Sequence, residues 1–269
     1  GVLNQQFYAN RQYVPSVVLF VSTVFKYYRP ETVQEYIPHT LALFDHLAFT
    51  KPLDHEGFSL LASCVDNWKY ANLQSEMNHI WQTIFRRLSA GKTNKFIKNL
   101  VLWLSRCALV FQKHSSEGIE TFLQQIEQMQ AGLLEMLFRN AILPSLEWFV
   151  HKADRELVIV AMTSMLLTSE SLLSNCSLWR DSFVSLCRLV EKNKNTPPSE
   201  PLRENVGREL IAVKSATLAS CEFERTIHVS GDPAETFMRM LNAFTANQTE
   251  AKLSAIASLP TSVRTFIGL

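Results

Sequence analysis

The sequence predicts an all-α protein, a superhelical solenoid of stacked helix pairs, and three observations predict it. Apolar residues recur at helical spacing almost throughout. Glycine is scarce, at 8 residues in 269, so hairpin turns and other positive-φ backbone are in short supply. The helix pairs also begin at regular intervals along the chain. With 47% hydrophobic and 19% charged residues, against about 25% charged in an ordinary domain, the chain carries enough apolar side chains to offset the entropy of ordering.

The periodicity is clearest in the middle of the chain. Leu73, Met77, Ile80, Trp81, Ile84, Phe85 and Leu88 follow the i, i+3, i+4, i+7 rule across 72–90. Phe96, Ile97, Leu100, Val101, Leu104, Cys107, Ala108 and Phe111 repeat it. The same spacing predicts helices near 15–28, 32–49, 55–68, 116–130, 132–150, 154–168, 178–192, 203–222, 233–245 and 249–258. Arg29-Pro30, Lys51-Pro52, Ala90-Gly91 and the run Asn193–Pro201 supply the breaks. Asp54, Asp154, Asp181 and Asp232 stand where N-caps are expected. Pairs beginning near 15, 54 and 94 are about 40 residues apart, the period of HEAT or armadillo units. A pair of this size buries its apolar surface by stacking on its neighbours. The polar, Pro-rich stretch near 193–205 reads as a long loop inside one continuous solenoid spanning 1–269.

Charge and cysteine content narrow the function classes. Lys and Arg number 26 and Asp and Glu 25, so global electrostatics predict no general affinity for nucleic acid or an anionic membrane. No apolar run approaches the ~18 residues of a membrane span. Cys64, Cys107, Cys176, Cys187 and Cys221 are scattered and form no Cys-x-x-Cys pair, a pattern of small buried hydrophobes in a reducing compartment. The chain opens at Gly1 without an initiator Met, which predicts a piece of a longer protein.

No motif reads as catalytic, cofactor-binding or metal-ligating. Gly91-Lys92-Thr93 looks like the end of a phosphate-binding loop, but Arg86 stands where the first glycine is needed and no strand precedes it. Asp45-His46 and Asp54-His55-Glu56 lack the spacing of metal ligands on one helix face. The tryptophans Trp68, Trp81, Trp103, Trp148 and Trp179 fall at core positions rather than in a ligand cage. A deep pocket with convergent polar groups would favour an α-helical enzyme instead, and an open concave surface a binding protein.

The charge layout is the most informative surface signal. Between Met77 and Ser116 lie Arg86, Arg87, Lys92, Lys95, Lys98, Arg106 and Lys113, with no acidic residue. Between Glu117 and Phe138 lie Glu117, Glu120, Glu127 and Glu135, with no basic one. Such blocks either solvate a face or steer partners of complementary charge. Lysines at a helix N-terminus oppose the helix dipole, so Arg86, Arg87, Lys92, Lys95 and Lys98 are the expected partner-facing residues.

Asp54-His55-Glu56-Gly57-Phe58-Ser59-Leu60-Leu61 and Lys92-Thr93-Asn94-Lys95-Phe96-Ile97-Lys98 resemble stretches of the importin-α re-exporters, a family of the importin-β karyopherin superfamily. Ile142-Leu143-Pro144, the segment 156–167 and Leu178-Trp179 continue the likeness in register, over roughly 30–265. The resemblance implies the C-terminal HEAT-repeat part of a nuclear export carrier, without catalytic chemistry or cofactor. It implies importin-α as cargo, an acidic partner, with GTP-bound Ran beside it, and shuttling between nucleus and cytoplasm. It also implies a late inter-helix insertion close to Ran, here 191–208, which adds Lys192, Lys194 and Arg203 to the candidate contacts. That segment is mixed in charge, where animal members of the family are strongly acidic. A scaffold of the same repeat type, or another karyopherin with a different cargo, is the alternative. The chain is expected to be monomeric.

Overall fold

The computed structural model describes residues 10–28, 30–195, 231–247 and 249–268, and every regular element among them is helical. The expected helix over 203–222, most of the Pro-rich interruption, Arg203 and Cys221 lie outside the described residues. The chain divides into two compact units, one ending at Asn99 and the other beginning at Leu100 and taking in the helices after residue 231.

The first unit holds α1 (Val14–Tyr27), α2 (Pro30–Gln34), α3 (Ile37–Phe49), α4 (Asp54–Asn67), α5 (Tyr70–Ala90) and the start of α6 (Asn94–His114). Helix α4 packs against both α1 and α3, and α5 packs against α3. Aromatic rings fill these contacts. Phe25 meets Trp68 edge-on at 5.8 Å, and Phe58 meets Phe44 at 6.4 Å and Phe96 at 5.0 Å. These are the edge-to-face separations that ring quadrupoles favour. Helix α5 buries Leu73, Met77, Ile80, Trp81 and Ile84, the stripe its sequence spacing predicts. It stops at Gly91, whose φ of 132° is closed to L side chains.

The second unit contains the remainder of α6, then α7 (Gly118–Met129), α8 (Leu133–Leu137), α9 (Leu143–Ser145) and α10 (Lys152–Thr168). It continues with α11 (Glu170–Ser174), α12 (Cys176–Asn195), α13 (Pro233–Ala246), α14 (Glu250–Ala257) and α15 (Thr261–Phe266). Helix α10 packs on α12 and α13, and α14 on α11 and α12. Trp179 anchors this core, stacked on Phe183 at 4.8 Å and Phe244 at 5.9 Å, with its indole N–H donated to the Leu166 carbonyl at 2.8 Å. Between α6 and α7 the chain folds back so closely that a Cβ on Gly118 would overlap the Phe111 carbonyl.

Two expected helices are broken, each beside a proline. The stretch 32–49 divides into α2 and α3 at Glu35-Tyr36, because Pro38 at the second position of α3 cannot tolerate the carbonyl four residues earlier in a continuous helix. The stretch 132–150 becomes α8, a π turn over Phe138–Ile142, α9 and a 3-10 turn over Leu146–Trp148. Pro144 lacks an N–H, and the wider turn before it makes room for its ring. Trp148 in that last turn is half-buried, whereas Trp68, Trp81, Trp103 and Trp179 are core residues as expected.

The N-caps also differ from expectation. Only Asp232 of the four aspartates caps a helix, accepting from Ala234 N–H at 3.0 Å. Asp54 and Asp154 lie one and three residues inside their helices and are buried, and Asp181 sits mid-helix in α12. Thr93, Ser169, Asn175 and Thr249 do the capping elsewhere, each accepting a backbone N–H three residues on.

Candidate partner-binding surface

The 40-residue period read from the sequence is written in the side-chain contacts. In the first unit Lys69 meets Glu31, Thr83 meets Asp45, Arg87 meets the Ala48 carbonyl, and Lys95 meets His55, at separations of 38, 38, 39 and 40 residues. In the second unit Arg139 meets Ser177 across 38 residues, Asn175 meets Glu135 across 40, and Arg155 meets Asn193 across 38. Polar groups on one helix pair thus bond the equivalent place on the next. This is nearest-neighbour stacking of repeats.

Arg87 is buried rather than partner-facing. Its side chain is 2% exposed and faces the equally buried Asp54 at 3.7 Å. Its guanidinium donates to the carbonyls of Ala48, at 2.9 Å, and Gly91, and its plane lies over the Phe96 ring at 4.9 Å. One cation therefore ties the last turn of α3 to the turn after α5. The pairs Asp45–Thr83 and Ala48–Arg87 ascend together along α3 and α5, so the two helices run parallel. Their C-terminal ends, with the starts of α4 and α6, share one edge of the unit.

The other residues of the basic block lie on or beside that edge. Arg86 is exposed on α5 and lies over the Phe49 ring at 5.3 Å. Lys92 is exposed in the turn after α5, and Lys95 and Lys98 are on the first turns of α6. Lys95 Nζ donates to His55 Nδ1 at 2.9 Å, which leaves the imidazole proton on Nε2, facing Glu56 Oε1 at 3.3 Å. His55 thus stands between Lys95 and Glu56, while Asp54 is turned away from both toward Arg87. Sequence reasoning missed Phe49 and the exposed Lys51, because a single apolar or basic residue at a helix end carries no periodic signal.

Lys192 and Lys194 are exposed at the end of α12, yet both touch the unit. Lys192 donates to the Glu147 carbonyl at 3.0 Å, and Lys194 lies 5.8 Å from the Phe266 ring centre.

The acidic block is largely turned to internal bonding. Glu120 accepts from the hydroxyls of Ser169, at 2.7 Å, and Ser171, and from Ser171 N–H. Burial pushes its carboxyl up, but these bonds, with one from Gln124, outweigh it and hold the pKa below the usual value. Glu127 accepts the N–H groups of Gly132 and Leu134 at the start of α8. Glu135 binds Arg139 at 2.7 Å, a bond that lowers its pKa, and Arg139 continues to Asp181 at 3.0 Å. The acidic block thus fastens helix ends rather than forming a steering patch.

Cys64, Cys107 and Cys187 are buried and Cys176 is half-buried. Burial pushes Cys64 well up and Cys187 up to about 12, so neither is a thiolate near neutrality. Among the described residues no group of three or more His, Cys, Asp or Glu is placed to hold a metal ion, and no helix is long and apolar enough to cross a membrane.

Helix pairs stacked at a 40-residue period, with charged side chains along their turn edge, define a HEAT-type repeat protein. The chain belongs to the CAS/CSE family: the family's C-terminal region matches residues 1–215. It is 25% identical over 169 residues to exportin-2 of Drosophila melanogaster, covering 62% of this chain and 16% of that protein. It is likewise 25% identical over 167 residues to exportin-2 of Homo sapiens, covering 61% of this chain and 17% of that one. The matches thus span about a sixth of these relatives' length. Among solved structures, the exportin Cse1 in its cargo-free, cytoplasmic state superposes with a TM-score of 0.72 at 15% identity, over 99% of this chain and 27% of that one, which supports the fold.

Proposed function

We propose that this chain is the C-terminal part of a nuclear export receptor that carries importin-α out of the nucleus together with GTP-bound Ran. The family match over residues 1–215 is the observation that carries this reading. In it the protein works by reversible wrapping rather than by chemistry, shuttling between nucleus and cytoplasm. Side-chain ties between neighbouring helix pairs among the described residues support such a mode, because small rotations at each pair add up and partners select among curvatures. Arg86, Lys92, Lys95 and Lys98 are the partner-facing residues we assign in the first unit, and Lys192 and Lys194 those in the second.

The test uses the full-length protein with immobilised importin-α, in the presence of Ran locked with GTP or GDP. A ternary complex with GTP-Ran and none with GDP-Ran is the expected result. Capture that is indifferent to the Ran nucleotide, or no capture, would replace this reading with that of a HEAT scaffold or a carrier of another cargo.

A further inference from the structure

We infer that the turn edge of the first unit is a docking surface for an acidic peptide segment, with Arg86, held on Phe49, as its anchor. The inference deepens the carrier reading by assigning a partner chemistry to this surface.

Three observations carry it. First, the cations are concentrated. Lys51 in the turn after α3, Lys92 in the turn after α5, Lys95 on α6 and Arg86 on the last turns of α5 all belong to the end of the unit that Arg87 ties together. Second, cations outnumber acids at this end. Asp54 is buried against Arg87, and Glu56 beside His55 is the other carboxylate at the start of α4, against Lys51, Arg86, Lys92 and Lys95. The net charge of the turn edge is therefore positive, which an incoming carboxylate chain complements.

Third, Arg86 is preorganised. Its guanidinium lies over a Phe49 ring that is 42% exposed, which fixes the fork while its N–H groups stay at the surface. A planar donor held in place loses less freedom on gripping a carboxylate. Arginine is also among the residue types that concentrate binding energy in protein interfaces. The structural tie between α3 and α5 is made by Arg87 next door, so Arg86 is not needed for it.

The probe is a fluorescein-labelled octaglutamate peptide titrated against the 269-residue chain by fluorescence anisotropy. Saturable binding is expected, weakening about tenfold between 50 and 200 mM salt as screening sets in. Arg86→Ala and Phe49→Leu are each expected to weaken it at least fivefold, with circular dichroism unchanged. Lys113→Ala, outside the patch, is expected to leave it within twofold. Absence of binding at 50 mM salt, or equal loss in Lys113→Ala and Arg86→Ala, would overturn the proposal. So would equal affinity for an octauridylate of the same charge, which would point to a nucleic-acid surface. None of these outcomes depends on Ran, so the peptide assay and the importin-α capture can fail separately.

Discussion

The Arg87 guanidinium and the Asp54 carboxylate stand 3.7 Å apart with side chains 2% and 1% exposed, one near the end of α5 and the other at the start of α4. Arg87 also donates from Nε and Nη1 to the main-chain carbonyls of Ala48, at the end of α3, and Gly91, in the turn after α5. The same guanidinium therefore faces the buried carboxylate and holds two helix ends.

Removing one side of this pair should leave a buried charge uncompensated. Arg87→Met is expected to destabilise the chain by about 3–5 kcal/mol. The double variant Asp54→Leu with Arg87→Met should recover part of that loss. Urea unfolding of the wild type, both singles and the double closes the cycle, and simple additivity would show that the two groups do not interact.

Acid should weaken the second unit through Glu120. Its folded pKa lies below the ordinary 4.5, so the stabilisation is full above that value and is lost as pH falls through the folded pKa. Glu120→Gln lacks this dependence. The stability gap between wild type and Glu120→Gln, read by urea unfolding, is expected to be largest near pH 7 and to shrink below about pH 4. A gap that is constant with pH would show that the serine bonds do not favour the ionised form.

Two glycine-to-alanine changes should diverge. At Gly118 the new Cβ overlaps the Phe111 carbonyl, a backbone group that cannot step aside. Gly118→Ala is expected to cost about 4 kcal/mol or more, or to prevent folding. At Gly57 the nearest atom is the Leu47 Cβ at 3.3 Å, a contact that small adjustments relieve, and the cost should stay near 1 kcal/mol, within the ordinary overpacking range of about 1–3. Thermal melting of the two variants side by side decides it, and equal melting points would contradict the close approach of α6 and α7.

Trp179 should show a graded loss. Trp179→Phe keeps most of the stack on Phe183 and Phe244 but deletes the hydrogen bond to the Leu166 carbonyl, at a cost of about 1–3 kcal/mol. Trp179→Ala also empties the core and should cost about 3–5 kcal/mol. If the two variants melted together, the ring stacking would contribute little.

The helices of more than ten residues were legible because burial leaves a 3.6-residue stripe, as in α5 and α6. The short elements were not. Five-residue helices such as α11 have no period to read, and the π turn before Pro144 is a packing compromise whose form depends on what α12 presents to it. The aspartate caps failed for a related reason. Asp54 follows a turn and precedes an apolar run, the local signature of a cap, but a buried arginine 33 residues later claims its carboxylate. Arginine is rarely buried without a partner, and besides Asp54 the partners of Arg87 are main-chain oxygens, which carry no sequence signature. On the candidate surface, the lysines were visible as a charge run. The Phe49 platform under Arg86 was not, since it arises only when α3 and α5 lie side by side.

The ties at separations near 40 residues have a further consequence for how such a chain can change its length. The ties at 38 to 40 residues close loops of about the same size, so their closure entropy is nearly the same. Excising one whole period would leave the spacing between the remaining pairs unchanged. Excising half a period would bring unlike partners together and strand the buried Arg87. The natural quantum of insertion or deletion in such a ladder is one helix pair.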